Sequence, residues 1–434
     1  MSLIRTVIEK NSNGQRAGLY SVCSGNELVL RSAIRHAARY QYPLIIESTS
    51  NQVNQFGGYT GMRPADFIEQ VKKIAREESL PEEKLILGGD HLGPLLWQSE
   101  TEKSAMEKAV EMVRSYTLAG FTKIHIDTSM KLGGDPAGPL DKKLCARRGA
   151  ILAKAVYESF AGDQSRRPVF VIGSEVPTPG GHISEEKNAG DRQEKSVNPT
   201  SAGDFLEQYS IFKDAFEKEG LDFNDVIAFV VQPGVEFGDD FVCFYDSKKA
   251  EALTGALKTI SQTKSKLVFE GHSTDYQDQQ NLLEMVRDGV AILKVGPALT
   301  FALREGLFLL EAVEEILVPA ASRSNFKKTL LAEMNNSPDN WKKYYLGTPE
   351  EIEYKKLYSY SDRCRYYFPA GPVKEAMESL LRNIPSVPPA LLSQFFPAQY
   401  RRFMAGKLSS DPLSILCDRV GDVCAGYARA AGFT

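Results

Sequence analysis

The chain has 434 residues, 42% of them hydrophobic, which is enough for one large α/β domain with an appendage or for two domains. Its formal net charge of −4 leaves no basic footprint for nucleic acid or for an anionic membrane surface. Six cysteines (Cys23, Cys145, Cys243, Cys364, Cys417 and Cys424) keep no CxxC or CxxH spacing, which excludes a zinc cluster of that kind and a disulfide framework.

A reducing cytoplasm is therefore expected. No charged-then-apolar leader opens the sequence and no apolar run reaches roughly 18 residues, so the protein is read as soluble, neither secreted nor membrane-spanning. In chain order, Ala17 to Cys23 reads as a strand and Asn26 to Tyr40 as a helix with Leu28, Leu30, Ile34 and Ala38 at helical spacing. Strands follow at Pro43 to Ser48 and Leu85 to Asp90, with helices at Pro64 to Glu78 and Glu102 to Ala119. Gly120 ends that last helix before a strand at Thr122 to Asp127 and a helix at Asp141 to Phe160. The remaining strands fall at Pro168 to Glu175, Asp225 to Gln232, Lys266 to Glu270 and Val290 to Val295. Helices at Ser247 to Ser261, Asp278 to Asp288 and Leu299 to Leu310 follow the last three.

Strict alternation of strand and helix implies parallel strands, and eight is the number that closes a barrel. A (β/α)8 TIM barrel is expected over residues 10–315, with a mostly helical C-terminal extension, 316–434, packed on it. An open doubly wound sheet would show a GxGxxG turn after its first strand, and Cys23-Ser24-Gly25-Asn26 lacks it. Without that turn or a P-loop GxxxxGK[ST], no nucleotide cofactor is expected.

Barrel chemistry sits at the C-terminal ends of the strands. Those ends carry Glu47, Asp90 with His91, Asp127, Glu175, Gln232, Glu270 and Lys294. Acids crowded into one ring raise one another's pKa unless a lysine, a substrate or a metal compensates. Period-two alternation puts Glu270 and His272 on one face, and His125 one layer below Asp127. His125 is read as a neutral, hydrogen-bonded core residue and His36 as helix surface or core. His182 follows a Pro-Gly-Gly turn and reads equally well as reaching the mouth or as solvated.

Three loops are rich in hydrogen-bonding groups. Residues 51–62 supply amides, Asn51 and Gln52 first, next to Ser48, and can fold over a hydroxylated ligand. The glycine turn at 175–181 offers N–H groups. The start of the eighth helix, Gly296 to Thr300, has the unpaired N–H groups and dipole that suit a phosphate. In the extension, Arg363 and Arg365 among tyrosines can clamp a phosphate, although an aromatic interface packing the extension on the barrel is the preferred reading.

The segments IIESTSNQVNQFGGYTGMRPADF, ILGGDHLGP, FTKIHID, EVPTPGG, VVQPGVEF, GHSTDYQ, ILKVGPALTFALRE and SDRCRYYFP closely resemble the GatZ/KbaZ family. Its members are accessory subunits of class II D-tagatose-1,6-bisphosphate aldolase, and some carry a tagatose-6-phosphate kinase label. The family in turn is similar to class II aldolases, which hold zinc with three histidines and use an aspartate beside the first. Asp90 and His91 match that pair. The second histidine has no counterpart in VVQPGVEF, and Glu270 stands where the third is expected, with His272 two residues on.

The resemblance implies a partner for a separate catalytic aldolase subunit, which need not exclude self-association. An alternative is a metal-dependent ketose 4-epimerase acting alone on tagatose, fructose or their 6-phosphates. A third reading is a sugar-phosphate-binding module without chemistry. The residues expected to act are Asp90, Glu175 and Lys294 as catalytic groups and His91, Glu270 and His272 as ligands of a divalent metal, zinc by resemblance. Glu47, Ser48, Asn51, Gln52, Asp127, Gln232, Arg363 and Arg365 are expected to bind the sugar or sugar phosphate.

Overall fold

A computed structural model describes residues 2–163, 167–173, 197–263 and 266–433. Eight parallel strands close into a barrel in sequence order: β1 (Leu19–Cys23), β2 (Leu44–Thr49), β3 (Leu85–Leu92), β4 (Lys123–Ile126), β5 (Val169–Ile172), β6 (Val226–Val231), β7 (Val268–Gly271) and β8 (Val290–Val295). The eighth returns to pair with the first, Ser21 opposite Lys294. The expected (β/α)8 architecture is therefore present.

The helical ring begins with α1 (Leu3–Ser12), which precedes the barrel, then α2 (Glu27–Tyr40), α3 (Pro64–Glu77), α4 (Glu102–Ala119) and α5 (Lys142–Ser159). It continues with α6 (Ala202–Lys218), α7 (Glu251–Thr263), α8 (Gln279–Arg287) and α9 (Pro297–Leu317). Side-chain oxygens of Asn26, Thr101, Asp141, Ser201 and Asp278 cap the first turns of α2, α4, α5, α6 and α8, satisfying N–H groups that would otherwise lack partners. A short antiparallel hairpin, Glu236–Phe237 with Val242–Cys243, leaves the tip of β6.

Neither α1 nor α6 is among the helices expected from the sequence. Both carry the helical signature: Ile4, Val7 and Ile8 in one, Phe205, Tyr209, Phe212 and Phe216 in the other. The α6 rings pack onto the outer face of the barrel, Phe205 lying 5.6 Å from Phe229 and 4.9 Å from Phe269 between ring centres. Helix α1 closes the bottom of the barrel, where Ile4, Val7 and Ile8 join Leu19, Ile45, Ile86, Val169 and Ile292 in a separate apolar cluster.

The strand interior changes character with height. Two residues above that apolar floor, period-two alternation turns Glu47, Lys123, Glu270 and Lys294 into the barrel, all of them buried. Gly88 makes room, since a Cβ there would lie 2.6 Å from the Glu47 carboxylate.

After α9 come α10 (Phe326–Asn336), α11 (Pro349–Tyr358), α12 (Gly371–Asn383), α13 (Pro389–Phe395), α14 (Pro397–Met404) and α15 (Pro412–Ala431). Helix α15 returns to the barrel and packs against α2, α8, α9 and β1. Tyr427 donates to the Thr274 carbonyl at 2.7 Å, and the Gly18 N–H donates to the Ala431 carbonyl at 3.1 Å. No described helix is long and apolar enough to cross a membrane.

Because Ile8 is 1% exposed in the apolar floor, Ile8→Ala is expected to lower unfolding free energy by about 2–4 kcal/mol, read from a guanidinium titration. An unchanged midpoint would mean that α1 does not seal the barrel.

Candidate active site at the barrel mouth

The floor of the site is a lattice of alternating charge. Lys123 Nζ contacts Glu270 at 2.6 Å and also Glu47, and Lys294 Nζ contacts Glu47 at 3.1 Å, Glu270 at 3.6 Å and also Asp90. Burial alone would raise the Glu270 carboxyl, but Lys123 and Lys294 hold it well below the ordinary range. Burial would likewise lower Lys294, yet Asp90, Glu47 and Glu270 push it well above the ordinary lysine value. Both groups stay ionised.

Above this floor stand three imidazoles. His91 leaves the tip of β3 at φ 50, a left-handed backbone that costs a side-chain-bearing residue about 1–2 kcal/mol. His125 rises from β4 and His272 follows β7, and the three ring centres lie 4.9 to 5.2 Å apart. Each ring is fixed through one nitrogen by a carboxylate. His91 Nδ1 bonds Asp127 at 2.9 Å, His125 Nδ1 bonds Asp90 at 2.7 Å and His272 Nε2 bonds Glu270 at 3.0 Å.

That pattern leaves the second nitrogen of each ring uncommitted. Among the described residues His125 Nε2 and His272 Nδ1 are buried with no hydrogen-bond partner, and His91 Nε2 is 3.8 Å from Asp90 Oδ2. Ligand atoms of Asp90, His91, His125 and His272 all fall within 4.8 Å of one another. Burial lowers the His125 pKa, and burial with the Lys294 charge lowers His272 to about 3, so both rings are neutral at physiological pH. Burial opposes a charge on His91 as well, but Asp90 and Asp127 outweigh it and raise its pKa. Carboxylate-anchored imidazoles with a free nitrogen are the donor set that zinc-like divalent ions take, so the residues fit a metal.

The imidazoles open into a cavity of about 260 Å3. Asn51, Gln52 and Tyr59 of the 51–62 loop line it on one side, and Arg363, Arg365 and Tyr366 of the extension on another. Tyr59 meets Tyr366 edge to face at 5.5 Å, which ties loop to extension.

A family model described as D-tagatose-1,6-bisphosphate aldolase subunit GatZ/KbaZ-like matches residues 4–432. The chain belongs to the GatZ/KbaZ-like family. The D-tagatose-1,6-bisphosphate aldolase subunit GatZ of Salmonella gallinarum is 43% identical to this GatZ/KbaZ-like chain over 428 residues, 98% of each. The same subunit of Salmonella agona shares 43% identity over the same length. A crystal structure described as a probable tagatose 6 phosphate kinase from Sinorhizobium meliloti 1021 superposes with a TM-score of 0.85 at 39% identity, over 95% of this chain and all of that one.

Within this GatZ/KbaZ-like barrel the expected residues separate into groups. Asp90, His91, Asp127, His272, Lys294, Asn51, Gln52, Arg363 and Arg365 all line the cavity. Glu175, His182 and the 175–181 turn lie outside the described residues.

Several expected roles change. Glu270 is one layer too deep to sit among the metal-ligand atoms and instead anchors His272 and pairs with both lysines. Glu47 is committed to the same lysines. Ser48 points away from the cavity to the Tyr116 hydroxyl at 3.1 Å, because alternation turns it to the opposite face from Glu47. Gln232 does not line the cavity: its Oε1 accepts the Gly234 and Val235 N–H groups at 2.8 and 2.9 Å and so shapes the turn after β6. His36 bonds the Tyr42 hydroxyl at 2.6 Å in the helical ring.

His125 is buried and hydrogen-bonded, as read from its depth, yet it belongs to the imidazole cluster rather than to inert core. Lys123 was not singled out at all. Its signal was present in TKIHID, where Lys123, His125 and Asp127 share one strand face. The first turn of α9 is also not open to a phosphate, for Asp275 accepts the Gly296 and Ala298 N–H groups at 3.0 and 2.8 Å.

Lys123→Met would leave Glu47 and Glu270 buried with Lys294 as their one remaining lysine among the described residues, so a loss of about 3–5 kcal/mol is expected by chemical denaturation. The carboxyls of Asp90 and Glu270 titrate below their unfolded values. Their contribution is complete above the unfolded value of about pH 4 and is lost as pH falls through it towards the depressed folded values. The denaturation midpoint is accordingly expected to fall between about pH 5 and pH 3. A midpoint flat across that window would contradict the lattice.

Proposed function

We propose that this chain is the non-catalytic subunit of a D-tagatose-1,6-bisphosphate aldolase, supporting a separate catalytic class II subunit, and that its own mouth binds a divalent metal and a sugar phosphate. The single observation carrying the subunit reading is 43% identity, over 98% of both chains, to a subunit of that name. A kinase reading finds no support in the sequence, which has no P-loop.

His91, His125 and His272, each through its uncommitted nitrogen, would hold the ion, with zinc the best match to an all-imidazole set. Bound there, a divalent ion supplies a Lewis acid beside a ketose carbonyl or hydroxyl. Charge balance favours the same reading, since among the described residues Glu47, Asp90, Asp127 and Glu270 face two buried lysines and His91. Asp127 and Asp90 orient the imidazoles, Lys294 steadies Asp90, and Asn51 and Gln52 offer amides to sugar hydroxyls.

One observation favours a second reading, a metal-dependent ketose 4-epimerase. A subunit that only stabilises a partner does not need the buried nitrogens His125 Nε2 and His272 Nδ1, without a partner among the described residues, beside a cavity that His91 and His272 line.

Co-expression with a catalytic class II tagatose-bisphosphate aldolase subunit is expected to raise that subunit's activity and its yield. Failure to do either, together with chelator-sensitive interconversion of fructose and tagatose or their 6-phosphates by the chain alone, would replace the first reading by the second. Elemental analysis is expected to find about one divalent ion per chain, lost in His125→Ala and in His272→Ala. Full metal content in both variants would refute the imidazole site.

A further inference from the structure

The three imidazoles are not held alike. His91 and His125 lie within β3 and β4, whereas His272 follows Gly271, the last residue of β7. Its place depends on the turn 272–277 that it opens, and that turn is strained. Ser273 at φ 54 and Tyr276 at φ 64 both adopt the left-handed backbone that side-chain-bearing residues rarely take. Such a turn persists only where its surroundings over-determine it. Thr274 donates its hydroxyl to the Lys294 carbonyl of β8 at 2.6 Å, Asp275 accepts the Gly296 and Ala298 N–H groups where α9 begins, and Gln277 donates to the Cys243 carbonyl of the hairpin at 2.9 Å.

Tyr276 reaches beyond the barrel. Its hydroxyl donates to the Tyr360 carbonyl of the extension at 2.6 Å, and its ring centre lies 4.8 Å from that of Tyr360, 5.3 Å from Phe237 and 5.5 Å from Phe301. The accepting carbonyl is itself fixed from both sides. The Tyr360 N–H donates to the Asp239 carbonyl at 2.9 Å, and Asp362, at φ 46, accepts the Thr300 hydroxyl at 2.6 Å and Arg304 Nε at 2.7 Å. Arg304 and Asp362 are buried, so the extension is latched to α9 by an ion pair shielded from solvent.

The left-handed strain at residue 276 is about as large as what one neutral hydrogen bond returns. The bond to Tyr360 therefore decides whether Tyr276 keeps its backbone, and with it whether Ser273 and His272 keep theirs. We infer that Tyr276 is a positioning residue for the His272 imidazole, so that seating residues 359–362 of the extension and binding an ion at the imidazoles favour one another. This rests on the reading of the imidazole cluster as a metal site and adds its regulation. Whatever loosens the extension weakens the site, and by thermodynamic reciprocity an ion at the site tightens the extension.

The test uses the full-length chain with Zn2+ or Co2+ alone. Affinity is read by competition with a chromophoric chelator, ligand geometry from the visible bands of the Co2+ form, and docking of the extension from amide exchange of residues 359–362 with and without the ion. Tyr276→Phe keeps the ring and removes the hydroxyl. It is expected to bind the ion about twofold to tenfold more weakly, with displaced Co2+ bands. Ile8→Ala, which loosens the barrel floor away from the turn, should leave affinity and bands unchanged although it lowers stability. Adding the ion should slow exchange of the Tyr360 and Asp362 amides in the native chain, and less so in Tyr276→Phe. Native affinity in Tyr276→Phe overturns the inference, as does equal weakening in Ile8→Ala or exchange at 359–362 that ignores the ion in the native chain. If the native chain binds no divalent ion, the reading of the imidazoles as a metal site fails instead.

Discussion

The feature on which the rest depends is a pair of lysines held between carboxylates inside the barrel. Removing an ammonium or a carboxylate from water costs several kcal/mol, recovered only where opposite charges are close and well placed. Glu47, Lys123, Glu270 and Lys294 meet that condition by coming from four strands at one interior level, so the register of the sheet is also the register of the charges. A slip of one residue in any of these strands would turn its charged group out into the apolar shell between barrel and helices.

Local chemistry at the mouth follows from that floor. Asp90 is steadied by Lys294 and in turn orients His125, while Glu270 is steadied by Lys123 and orients His272. The carboxylates expected to act on substrate thus serve first to aim imidazoles. Because the lattice holds them ionised, they are hydrogen-bond acceptors whose acidity is set by neighbouring charges, His91 and then Lys294 for Asp90 and Lys123 with Lys294 for Glu270, rather than by solvent.

The barrel was legible from alternation because each strand is short, apolar and punctuated, and most of the cavity's acids could be placed at strand ends by the same rule. What escaped had physical reasons. His125 was judged singly, whereas its role comes from two histidines on other strands that only closure brings within about 5 Å. Helix α6 follows a long polar run that obscured the fifth crossover, and α1 was passed over although Ile4, Val7 and Ile8 have helical spacing. The phosphate expected at α9 failed for a non-local reason, since its capping acid, Asp275, comes from the loop after the preceding strand. Arg363 and Arg365 stack in an aromatic seam and also line the cavity.

The seating of α15 against β1 bears on how the molecule is made. Tyr427 and Ala431, which close the wall beside β1 and the loop after β7, leave the ribosome after every strand they cover. During synthesis the nascent barrel therefore carries an uncovered apolar flank around Tyr20 and Leu30 until α15 emerges. Truncation ahead of Pro412 would release a chain whose first strand has no roof, a product for chaperones and proteases.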